Sequence, residues 1–99
     1  MTYQLRYTLA ARADIRRHYG FLLNRDFRAA EKAVEIIIRS IEGLAEFPFS
    51  ARKAPGESTF LRELVIPFGS AGYVALFEIE DAKTVTILAV RHQREDDYH

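Results

Sequence analysis

The sequence predicts an α+β domain of order β-α-α-β-β-β, a helical hairpin packed on an antiparallel sheet. Two neighbouring stretches carry apolar residues at helical spacing, a proline closes the second, and three strand-like runs joined by short turns follow. The 99 residues form one domain, 1–99, and a hydrophobic share of 48% suits a single buried core.

Tyr3-Gln4-Leu5-Arg6-Tyr7 alternates apolar and polar side chains, the pattern of a half-buried strand. Thr8 offers a capping hydroxyl for a helix that runs to about Asn24, with Ala11, Ile15, Tyr19 and Leu22 as its apolar stripe. Asn24-Arg25-Asp26 breaks the helix, and Asp26 caps the next one. There Ala30, Val34, Ile37, Ile41 and Leu44 recur at steps of four and three until Phe47-Pro48. So short a link makes the two helices an antiparallel hairpin. Phe49 to Ser58 reads as a loop turned at Pro55-Gly56. The strands Phe60–Ile66 (closed by Pro67), Tyr73–Ile79 and Thr84–Val90 then make an antiparallel meander.

Composition narrows the function. The chain has no cysteine, which excludes a disulfide framework and any thiolate metal site. His18, His92 and His99 lack ligand spacing, so neither metal nor other cofactor is expected. No apolar run reaches the roughly 18 residues of a membrane span, no membrane partner is expected, and a signal-peptide pattern is missing; a cytoplasmic location is the expectation. The net charge is zero but uneven. Residues 1–53 hold ten Lys/Arg against six Asp/Glu, and residues 54–99 hold four against eight. A stand-alone nucleic-acid binder would show a basic excess, which this balance lacks.

Three segments carry a resemblance: Ala-Arg-Ala-Asp-Ile at 11–15, Leu44-Ala45-Glu46-Phe47-Pro48, and the succession Leu61-Arg62-Glu63-Leu64, Tyr73-Val74-Ala75-Leu76-Phe77 and Ile87 to Arg94. In order and at this spacing they resemble the RelE/ParE toxins of type II toxin–antitoxin systems. The resemblance implies the same fold and a cognate, ParD-like antitoxin whose disordered segment folds along the toxin. The sequence offers that partner a surface on the second helix, at Val34, Ile36, Ile37, Ile38 and Ile41. Three consecutive isoleucines give an apolar arc wider than one sheet face needs; the other reading packs all three into the core.

The resemblance also implies one of two targets, DNA gyrase or mRNA on the ribosome. Metal-free RNA cleavage needs a base, an acid and cations converging on one face. Arg62, Arg91, His92, Arg94 and Tyr98 are the residues available, with Arg52 and Lys53 in the preceding loop. Each also reads as structural: Arg62 as an ion-pair partner, His92 as a polar edge or cap, the tail as a solvated end. Arg91 and His92 alternate faces, so both reach one pocket only if the strand has ended. The nucleases of this family are strongly basic, whereas this chain is neutral, and Glu95, Asp96 and Asp97 would repel a phosphate there. The expectation is therefore the gyrase-poisoning branch, acting by protein contact through Arg12, Arg16 and Arg17 of the first helix and Arg91, Arg94 and Tyr98 of the tail.

Overall fold

A computed structural model describes residues 2–96, so Tyr98 lies outside the described residues. Strand β1 (Gln4–Tyr7) leads into helices α1 (Leu9–Leu23) and α2 (Phe27–Glu42). Strands β2 (Arg52–Lys53), β3 (Leu61–Phe68), β4 (Ala71–Ile79) and β5 (Thr84–His92) follow, then one helical turn, α3 (Gln93–Asp96). The strands lie side by side in the order β1-β5-β4-β3-β2. The meander β3-β4-β5 is antiparallel as expected, but β1 runs parallel to β5, which makes the sheet mixed. The reason is topological: β1 and β5 are separated in the chain by the helical hairpin and by β2, β3 and β4, a long crossover of the kind a parallel pair requires and a tight turn cannot give.

Both expected caps are present. The Thr8 hydroxyl accepts the Ala11 amide at 3.0 Å, and Asp26 accepts those of Arg28 and Ala29 at 3.0 and 3.2 Å. Helix α2 ends at Glu42 and tightens into a 3₁₀ turn, Gly43–Ala45, which keeps Leu44 on the core face. Ala30, Ala33, Ile37 and Ile41 are buried, so Ala33 occupies the core position expected of Val34, which is half-buried. Ile37 and Ile41 meet Phe77, Ile66, Val85 and Ile87 of the sheet in one cluster, each fully buried aliphatic side chain contributing about 1.5–3 kcal/mol.

The expected loop after Pro48 holds a 3₁₀ turn, Pro48–Ser50, and the two-residue strand β2, too short to leave a periodic signal. Pro67 does not close β3, which continues to Phe68. β2 pairs only with Arg62 and Glu63, so the outer edge of β3 at Pro67 has no neighbouring strand and its missing N–H breaks no ladder bond.

Pro67 faces Gly72 across the β3–β4 pair, where Gly72 has φ +149° and a Cβ would collide with the Ile66 carbonyl oxygen. Gly72→Ala is expected to lower unfolding stability by about 2–4 kcal/mol, through strain and steric clash together. Urea unfolding checks this, and an unchanged midpoint would contradict the backbone geometry at this turn.

Candidate functional site

Strand β1 pairs with β5 only from Thr84 to Ile87, so β5 continues past the end of its neighbour. Helix α1 completes that edge with side chains. The Thr8 amide donates to the Ile87 carbonyl at 3.0 Å and its hydroxyl to the Leu88 carbonyl at 3.1 Å. Further along the helix, Asp14 accepts the Val90 amide at 2.9 Å, and His18 Nε2 bonds the Val90 carbonyl at 2.7 Å. Asp14 and His18 are four residues apart on one helix face, which lets them take both polar groups of one strand residue. A carbonyl partner requires the proton on Nε2.

A β-bulge sets what faces the helices. Ile87 pairs with Phe77 and Ala89 with Leu76, leaving Leu88 without a cross-strand partner. The extra residue turns Val90 and His92 to the helix side and Arg91 to the other. His92 then lies edge-on to Tyr73 at 5.5 Å, and His18 packs against the same ring at 4.9 Å. The Arg94 amide donates to His92 Nδ1 at 3.1 Å, so His92 caps the final helical turn through an unprotonated nitrogen.

These rings border a cleft of about 620 Å³ between the C-terminal half of α1, the β3–β4 turn and the end of β5. Phe21, Leu22, Phe68 and Tyr73 make it apolar, while Arg17 and Arg94 make it cationic and His92 adds a polar ring. Tyr73 is buried, and its desolvation raises the phenol above the usual tyrosine range. Such a cleft suits recognition of an aromatic or aliphatic group carrying negative charge.

The cleft brings together Arg17, His92 and Arg94 from the sequence-predicted residues; the other described ones lie elsewhere. Arg12 and Arg16 line a separate groove with Tyr7, Ile15 and Ile38. Arg91 pairs with Val74 on the face turned away from His92. Arg62 stands across from Phe77 on β4, four residues from Tyr73, or roughly 13 Å along the strand. Its guanidinium donates to the carbonyls of Thr59, Phe49 and Ala51 at 2.8, 3.2 and 2.8 Å, fastening the loop that leads into β3. Arg52 pairs with Glu63 at 3.0 Å. On α2, Ile37 and Ile41 are fully buried and offer a partner no surface; Ile36 packs on the core, which leaves Val34 and Ile38 half-exposed. Sequence reasoning passed over His18, Tyr73 and Phe68 as site residues. The Asp14–His18 spacing was the available signal for His18; the other two depend on strand register.

The profile of the family described as ParE toxin of type II toxin-antitoxin system, parDE, matches residues 5–97. The chain belongs to this toxin family. It is 36% identical over 86 residues to Toxin RelE3 of Caulobacter vibrioides, covering 86% of this chain and 88% of that one. With Toxin RelE1 of the same organism it shares 32% over 79 residues, 80% and 82% of the two chains. Among solved structures, the chromosomal ParDE toxin–antitoxin system from P. aeruginosa superposes with a TM-score of 0.74 at 23% identity, over 92% of this chain and 96% of that one. The toxin–antitoxin complex RelBE2 from Mycobacterium tuberculosis gives 0.58 at 24%, over 93% and 99%. The family match thus covers the described domain from residue 5 onward, and the RelE/ParE fold is shared down to the two helices on a five-stranded sheet.

Two outcomes follow for this toxin. Asp14→Ala strands the Val90 amide and is expected to cost about 1–3 kcal/mol in urea unfolding, with faster exchange of that amide; unchanged exchange would remove Asp14 from its role. Tyr73 is kept neutral by burial, so its contribution is fully present below the unfolded tyrosine value near 10 and is lost as pH rises through the higher folded value. Ultraviolet titration is expected to show a late-ionising phenol that disappears in Tyr73→Phe.

Proposed function

We propose that this type II toxin is a ParE-like poison of DNA gyrase, held inactive by a cognate antitoxin, and not an enzyme in its own right. The observation that carries this reading is the dispersal of the residues available for RNA cleavage. Arg62 is engaged by three backbone carbonyls, Arg91 faces away from His92, and His92 spends Nδ1 on a backbone amide. Arg52 is tied to Glu63. Of the described residues named for RNA cleavage, His92 and Arg94 meet at the cleft beside Arg17, whereas Arg62 and Arg91 stand apart from it, which scatters the set that cleavage without a metal would require.

A poison acts by binding, which asks for an exposed surface with anchoring side chains. The cleft at Phe21, Tyr73 and Arg17 has that character, with Arg94 at its mouth, and we assign it to the target. The antitoxin reading rests on family membership and on apolar surface left open beside α2. Val34 and Ile38 supply part of it, and the neighbouring groove adds Tyr7 and Ile15. No helix among the described residues is long and apolar enough to cross a membrane, and the protein is proposed to act in the cytoplasm.

The two relatives carry RelE names, so ribosome-dependent mRNA cleavage is the reading the test must separate. Purified toxin, freed of antitoxin, is assayed for inhibition of gyrase supercoiling with trapping of cleaved DNA, and in parallel for mRNA cuts in a translating extract. Gyrase inhibition with intact mRNA is expected. Joint Arg17→Glu and Arg94→Glu substitution is expected to weaken inhibition by roughly tenfold or more, the scale of losing an interface anchor. Codon-phased mRNA cuts with untouched gyrase would overturn the proposal.

A further inference from the structure

The opposite end of the sheet carries a second surface. Ala71 borders the cationic cleft, and Ile79, eight residues along β4, lies roughly 26 Å away by strand rise. There Tyr3, Phe49, Phe60 and Ile79 wall a smaller cleft of about 430 Å³, with the turn Glu80-Asp81-Ala82 at its mouth. Phe49 and Phe60 meet edge to face at 6.3 Å, yet each is about half exposed, at 49% and 51%; Phe47 nearby in the chain is 68% exposed. Single exposed apolar residues need no explanation, but adjoining aromatic rings around a concavity leave a contiguous apolar patch in water. The core does not use them, for neither Phe49 nor Phe60 joins the cluster beneath the helices.

The charge at the mouth selects what fits. Glu80 and Asp81 are both exposed, and Asp81 is held by the Lys83 amide at 2.8 Å, so its carboxylate keeps a fixed place on the rim. An acidic segment or a nucleic-acid phosphate would be repelled there. A cationic side chain with an apolar stem suits both parts: stem on the rings, head at the carboxylates. The protein already lays one guanidinium on this wall, since Arg62 stands 5.2 Å from the centre of the Phe49 ring.

We propose that the Tyr3–Phe49–Phe60–Ile79 cleft docks a partner-protein segment that places an arginine or lysine beside aliphatic side chains. The surface is separate in position and opposite in charge from the cleft assigned to the target, so it gives the toxin a second, independent contact. The proposal holds whichever target the toxin has.

The test is an NMR titration of isotopically labelled toxin with two capped peptides, acetyl-Ala-Leu-Arg-Leu-Ala-amide and its counterpart with glutamate in place of arginine. The basic peptide is expected to move resonances of Tyr3, Phe49, Phe60 and Ile79 and to saturate; the acidic one is expected to leave them in place. Phe60→Ala, an exposed position, is expected to abolish the shifts while the rest of the spectrum is retained. Glu80→Gln, which leaves every aromatic wall intact, is expected to weaken binding about two- to fivefold, the worth of an exposed ion pair. Equal response to both peptides, or no response to either, would overturn the proposal. Movement of the same resonances with toxin concentration alone would also overturn it, because a second copy would then occupy the cleft.

Discussion

Val90 is the residue on which the arrangement of this domain turns. Its strand outruns β1, and an edge amide and carbonyl covered by a helix must find partners or cost about 1–3 kcal/mol each. Asp14 and His18 supply both partners from consecutive turns of α1, at 2.9 and 2.7 Å. Two directional bonds from one helix to one strand residue fix the height and the rotation of that helix on the sheet. Helix α2 follows, joined by the short Asp26-capped link. The cleft then forms between α1 and the β3–β4 turn, because α1 holds Phe21 and Leu22 above Phe68 and Tyr73.

The same economy explains how the charged residues are distributed. Several cations that look chemical in the sequence are bound into structure: Arg62 fastens the loop before β3, and Arg52 neutralises Glu63. At the cleft, Arg17, itself paired with Asp14 at 3.6 Å, and Arg94 border an apolar depression. The outcome is a domain whose ends differ in charge, cationic beside the β3–β4 turn and acidic beside the β4–β5 turn, despite a net charge of zero. Such polarity bears on which partners approach which end and leaves the fold itself unaffected. The relatives named RelE and the ParE family profile meet on this one scaffold, so the chemistry of a member resides in its surface residues and not in its topology.

Particular residues show how far the sequence could be read. Thr8 and Asp26 announced both helix starts because a capping side chain acts within three residues of itself. The second helix was legible from Ile37 and Ile41, since a one-sided apolar stripe at 3.6 spacing has few other uses. Pro67 misled, because proline is unfavourable only where a neighbouring strand needs its N–H, and that depends on how far β2 extends. The isoleucine triplet misled in part: periodicity counts apolar residues without showing how many the sheet will cover.

By itself, then, the sequence determined the α+β class, the order and caps of the helices and the antiparallel meander, all of which follow from short-range periodicity and local hydrogen bonding. Only the tertiary structure decided that β1 joins β5 in parallel, that a bulge at Leu88 turns His92 toward the helices and Arg91 away, and that Arg62 serves a loop. Those outcomes depend on pairings between residues as far apart as Asp14 and Val90. No local pattern encodes them, because a one-residue change of register reverses every face of a strand.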